Sequence, residues 1–247
     1  MIAKRIIAVL TFDNGILTRT KNFIPDYRYT SNFINNSLFD AIVLIDVSKS
    51  NKYRKNFYKV VQNFAKNCFV PICVGGSISS INEVKKFQKI GADKILLNSL
   101  LIENPKKVKD IINIFGNQFV IVGIDVKKIS GINHCYYNRG KKKINKNLDK
   151  YLNFIKKINP GEILFQSIDL DGSLNGYELN IAKLIKKKLK MPLLICGGAG
   201  NWKHFVKAFE EANVDAVCTN NIYHFTYKSI LSAKSYCSQR KINIRLE

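Results

Sequence analysis

Gly75–Ser99, GGSISSINEVKKFQKIGADKILLNS, aligns without a gap onto Gly197–Asn221, GGAGNWKHFVKAFEEANVDAVCTNN. Gly75/Gly197, Gly76/Gly198, Val84/Val206, Lys85/Lys207, Phe87/Phe209, Asp93/Asp215 and Asn98/Asn220 coincide. Each copy reads as a Gly-Gly turn, an amphipathic helix, a short apolar strand and a small polar residue. Ile45-Asp46 and Ile168-Asp169 precede the two copies at nearly the same offset. The chain therefore reads as two similar halves, 1–115 and 116–247.

Outward from the repeat, the same strand–helix unit recurs. Strands are expected at Arg5–Leu10, Ala41–Asp46, Val70–Val74, Lys94–Leu97, Phe119–Asp125, Glu162–Ile168, Pro192–Cys196 and Ala216–Thr219. AIVLID and FVIVGID are continuously apolar and end in a carboxylate, as expected of a parallel strand buried on both faces with a polar C-terminal end. Helical patterns such as Ser80–Ile90 and Trp202–Ala212 lie between strands. Eight such units without a Pro/Gly-rich linker predict an α/β fold, one closed (β/α)8 TIM barrel over 1–247 made of two half-barrels.

Composition excludes several classes. Hydrophobic residues at 46% and charged ones at 23% belong to a globular chain, not a disordered one. Six scattered cysteines without a C-x-x-C pair, and only three histidines, give no zinc spacing. Neither metal nor other cofactor is expected, and the cysteines read as reduced and structural. The start, MIAKRIIAVL, lacks the apolar core of a signal peptide. No stretch approaches the ~20 apolar residues of a membrane span, so a cytoplasmic location is expected. The net charge of +22 invites a nucleic-acid reading, but Lys141–Lys143 and Lys186–Lys188 carry no interleaved aromatics. A solvated lysine-rich surface is the expectation instead, with steering of an anionic small substrate, or an acidic partner, as the alternative.

The repeat carries the chemistry. Glycines after a strand permit close backbone approach, and the following helix start favours an anion. A barrel gathers such elements at the C-terminal ends of its strands. Two matched clamps on opposite sides predict a substrate with a phosphate at each end. Asp46, Asp125 and the Asp169–Ser173 segment, DLDGS, place acids at the same rim as candidates for acid–base work.

The opening MIAKRIIA, followed in order by VGG, GADK, GEIL, SIDLDGS, GGAG and YHF, resembles the cyclase subunit of imidazole glycerol phosphate synthase, the HisF family, over the whole chain. The resemblance implies a barrel docked as a heterodimer on a class-I, HisH-like glutaminase, whose ammonia travels through the barrel core. Asp125 matches one catalytic aspartate of the family. Thr11 stands where the other is expected, and Asp13 is displaced two residues on. Arg19 replaces a lysine of the first loop, which here runs quickly from Asn22-Phe23 to the second strand. Gly75 and Gly76 with Asn98 and Ser99 match one phosphate clamp, although Ser77 stands where a third glycine is usual. Asp171, Gly172, Gly198 and Gly200 match the other, where Asn220 and Asn221 replace smaller residues. Asp46 joins the substrate-side set as a strand-end acid. Arg5, Lys94 and Glu162 match three members of a charged ammonia gate at the barrel base, and Ala41 replaces the fourth.

A retained conduit with a broken acid pair resembles the divergent branch of the family linked to surface-glycan clusters. There the implied role is ammonia supply to amidino-sugar formation. The resemblance leaves open a genuine cyclase of histidine biosynthesis and a conduit without chemistry of its own.

Overall fold

The computed structural model describes residues 3–28, 38–220 and 229–246. Eight parallel strands form its centre: β1 (Arg5–Asp13), β4 (Ala41–Asp46), β5 (Ile72–Gly75), β6 (Lys94–Leu97), β7 (Val120–Ile129), β10 (Glu162–Ser167), β11 (Leu193–Cys196) and β12 (Ala216–Thr219). They pair in that order. β10 also pairs with β7 in parallel, Asp125 opposite Gln166, and β12 returns to β1, Ala216 opposite Arg5, which closes the barrel. Every barrel strand falls where the apolar runs put it.

Two strands run past their expected ends. β1 continues through Thr11, Phe12 and Asp13, which pair antiparallel with β2 (Ile16–Lys21), and β2 pairs with β3 (Ile24–Arg28). The link after Asn22-Phe23 is therefore a further strand rather than a direct run to β4. Likewise β7 continues to Ile129, turns into β8 (Ile132–Tyr137) and on to β9 (Lys142–Lys143). The turns match in the two halves: φ is 54° and 84° at Asn14-Gly15 and 48° and 81° at Ser130-Gly131. At the far ends, φ is 51° and 65° at Asn22-Phe23 and 51° and 59° at Asn138-Arg139. Two consecutive left-handed residues give the turn whose twist suits a β-hairpin.

Helices follow the strands: α1 (Arg54–Asn67), α2 (Ile81–Lys89), α3 (Ser99–Glu103), α4 (Pro105–Phe115), α5 (Leu148–Ile158), α6 (Leu179–Lys188), α7 (Trp202–Ala212) and α8 (Ser229–Gln239). Within the repeat, α2 is capped by Ser80, which accepts from the Glu83 amide, and α7 by Asn201, which accepts from the His204 amide. Such caps satisfy donors that the first helical turn leaves orphaned. Alternation along each strand sorts the core. Ile7, Val9, Val43, Cys73, Ile121 and Leu164 fill the barrel interior, while Ile6, Ala8, Leu10, Ile42 and Leu44 pack outward under the helices. The six cysteines are free, and all but the half-buried Cys68 are buried. Among the described residues no helix is long and apolar enough to cross a membrane.

Candidate functional site

The mouth of the barrel holds a cavity of about 140 Å³ lined by Thr11, Gly76, Asn98, Ser99, Asp125 and Gln166. A smaller one, lined by Arg19, Asp171, Gly172, Gly198 and Asn220, lies at β11 and β12. β5–β6 and β11–β12 sit half a turn apart in the closed strand order. The two clamps therefore face each other across the mouth.

The turn glycines serve this geometry differently from a bare tight turn. A Cβ on Gly76, at φ +93°, would fall 2.1 Å from the Asp46 carbonyl oxygen; one on Gly198, at φ +106°, would fall 1.9 Å from that of Gly176. Protein backbone fills the space that a side chain would take, so only glycine lets neighbouring loops close onto the clamps. Gly75 abuts the Leu96 side chain and Gly200 the Leu174 carbonyl. Both pack the wall behind the clamps.

Asp125 is half-buried at the rim, and Asn98 Nδ2 donates to its Oδ2 at 2.7 Å. Burial pushes its carboxyl up to about 7, against the opposing amide hydrogen bond and with help from the negative Asp171. A carboxyl that exchanges its proton near neutrality is suited to acid–base work. Asn98, expected in the first clamp, thus also reaches the acid. Among the described residues its Oδ1 finds no hydrogen-bond partner, nor does Oδ1 of the matching Asn220.

Thr11 is buried and lines the mouth, but its hydroxyl donates to the Thr18 carbonyl at 2.6 Å across the hairpin. Asp13 lies two residues further up, beside the Asn14-Gly15 turn and outside the cavity lining. Asp46 departs from the expectation of a free acid. Its Oδ1 accepts from the Ser48 amide and hydroxyl, and its Oδ2 accepts from Arg54 at 2.7 Å. Arg54, itself buried, also bonds Glu83 at the start of α2. Asp46 is an anchor of the wall. Asp169 likewise turns outward to accept from the Lys128 amide.

At the second clamp, Asp171 is buried, its Oδ2 accepts from the Phe23 amide at 3.0 Å, and burial raises its carboxyl. Arg19 Nη2 donates to the Gly172 carbonyl at 3.1 Å. Asn221 lies outside the described residues. The hairpins meet over the mouth, since a Cβ on Gly140 would touch the Phe23 ring at 3.2 Å. Sequence reading missed Gln166, Arg54 and Arg139. The first is an interior-facing strand residue opposite Asp125 in the ladder, a signal available from alternation, and the last was hidden in a run of lysines.

At the opposite end, Glu162 is buried and its Oε1 takes Arg5 at 3.1 Å and Lys94 at 3.0 Å. These three and Ala41 line a cavity of about 250 Å³ under the strand N-termini. Among the described residues no cluster of metal ligands occurs.

Residues 11–228 match the family model described as histidine biosynthesis protein. Over the full length of both chains, the sequence is 35% identical to the imidazole glycerol phosphate synthase subunit HisF of Clostridium botulinum (strain Okra / Type B1). It is 32% identical to the protein of that name from Hydrogenobaculum sp. and 34% to that from Chlorobaculum tepidum, again over the whole of both chains.

Proposed function

The chain belongs to the histidine biosynthesis protein family that includes the HisF subunits, and from that premise we propose that it is the ammonia-using subunit of a glutamine amidotransferase acting on a phosphorylated sugar-type substrate in amidino-sugar formation. A HisH-like glutaminase docks under the strand N-termini, and ammonia passes Arg5, Lys94 and Glu162 toward the mouth. There ammonia adds to an electrophilic carbon that bears an oxygen leaving group, the Asp125 carboxylate takes the proton shed by the new C–N bond and returns it to the departing oxygen, and the two clamps hold the substrate's anionic ends.

The observation that carries this reading is Thr11. Ring closure of the cyclase type calls for acid–base groups on both sides of the substrate. Thr11 has its hydroxyl proton committed to Thr18, Asp46 is committed to Arg54, and Asp125 is the acid left facing the cavity. One such group serves addition of ammonia better than a two-sided cyclisation. A second reading, a cyclase of histidine biosynthesis, draws support from full-length relatives of that name.

One experiment separates them. Ammonia and the histidine-pathway substrate are supplied to the wild type and to Thr11→Asp. The wild type is expected to be slower than Thr11→Asp by about 10²-fold or more, the usual worth of one acid–base group. Wild-type turnover within tenfold of the variant establishes the cyclase reading instead.

A further inference from the structure

The turn between β8 and β9 carries an arginine where backbone geometry favours glycine. Arg139 has φ 59°, directly after Asn138 at 51°. A side chain at such a φ is strained, and an outlier of this kind points to a use for the side chain. The turn is pinned over the first clamp, with the Asn138 amide donating to Ser99 Oγ at 3.0 Å. From there Arg139 reaches across the mouth, Nη1 donating to the Ser48 carbonyl.

That placement sets the guanidinium in the wall of the mouth cavity with Gly76, Ser77, Asn98 and Ser99, and it is the one cation among the described residues lining it. Asp46, the acid of the same wall, is neutralised by Arg54, and Arg139 forms no ion pair among the described residues. Of five N–H donors in a planar fork, one goes to Ser48, which leaves an edge free for an oxyanion. The second clamp has its own arginine, Arg19 on β2. Each clamp thus combines a Gly-Gly turn, an asparagine and one arginine delivered by the hairpin of the other half.

We propose that Arg139 is a direct ligand of the substrate's phosphate monoester at the first clamp, its guanidinium closing over an anion seated between Gly76-Ser77 and Asn98-Ser99. This rests on the phosphate-clamp reading above and adds the residue that sets charge selectivity at one end. Lysine at 139 keeps the charge but loses the fork. Glycine removes the cation and also relieves the backbone.

The test is an amide-resolved NMR titration with inorganic phosphate, comparing wild type, Arg139→Gly and Arg139→Lys at fixed ionic strength. The amides of Gly76, Ser77, Asn98 and Ser99 report one clamp, and those of Gly172, Gly198 and Asn220 the other. Arg139→Gly should weaken phosphate at the first clamp by about ten- to a hundredfold, the range of a charge-assisted hydrogen bond. The second clamp should stay within twofold and the melting temperature should hold or rise. Arg139→Lys should fall between. Unchanged affinity at the first clamp, or equal weakening at both, overturns the role of Arg139. Absence of phosphate from both clamps of the wild type overturns the clamp reading itself, and the inference with it.

Discussion

Asp125→Asn should stabilise the protein at alkaline pH while abolishing its chemistry. The Asp125 carboxyl titrates at about 7 rather than near 3.8 because burial disfavours its charged form. Between those two values the folded chain holds a proton that the unfolded chain has released. Stability therefore falls as pH rises through that window, and the penalty is complete above about 7. Carrying a carboxyl over this interval corresponds, at about 1.4 kcal/mol per pH unit, to about 4 kcal/mol. The carboxylate edge opens onto the mouth cavity, and solvent there reduces the figure to about 2–4 kcal/mol. An isosteric amide carries no such penalty, and its oxygen can still accept from Asn98 Nδ2. At pH 8 the variant should be about 2–4 kcal/mol more stable, which for a chain of this size is roughly 5–15 °C in melting temperature. At pH 5 the gain should shrink to about 1 kcal/mol, and below 3.8 it should vanish. Urea unfolding of both proteins at pH 5 and pH 8, followed by far-UV circular dichroism, reads this directly. Parallel pH profiles, or a variant less stable than wild type at pH 8, refute the placement of a penalised carboxylate at the rim.

Two further outcomes are expected. If the proposed glutaminase docks at the base, Glu162→Lys should leave ammonia-driven turnover within about twofold while lowering glutamine-driven turnover by about tenfold or more, the worth of one charged contact; parallel assays with each nitrogen source, on the chain mixed with that glutaminase, check this. Arg54→Met should cost about 3–5 kcal/mol in urea unfolding at pH 7, because it strands the buried Asp46 and the nearby Glu83 without their cation; a loss under 1 kcal/mol would mean that the Asp46 wall does not depend on that pair.

The barrel strands were legible because a parallel strand buried on both faces reads as an uninterrupted apolar run, as in AIVLID. The paired Gly-Gly turns at the barrel mouth were legible because the same spacing occurs twice. The hairpins were not, although Asn14-Gly15 and Ser130-Gly131 are hairpin-turn dipeptides. The apolar run into Leu10 masked the continuation of the strand through Asp13. The fate of Asp46 was also hidden, since its partner Arg54 lies on α1 and reads as one more surface cation until the helix docks. Arg139 is the sharpest case. Within NRGKKK it is indistinguishable from solvated charge, and only the left-handed turn aims it inward.

The two hairpins cross-brace the halves. The first, after β1, lays Arg19 on Gly172 and the Phe23 amide on Asp171, both of the other half. The second, after β7, lays the Asn138 amide on Ser99 and Arg139 on Ser48, again of the other half. Each Gly-Gly turn is thus walled by a segment from across the barrel, so neither half forms its proposed anion site with a full set of contacts alone. The clamps are built alike, but the strand ends between them are not. On one side the Asp125 proton is exchangeable near neutrality; on the other the Thr11 hydroxyl is tied to its own hairpin. On the proposed reading, a substrate held at both clamps meets the exchangeable acid of Asp125 on one face and the tied hydroxyl of Thr11 on the other, and that asymmetry is the physical basis for proposing addition of ammonia rather than a two-sided ring closure.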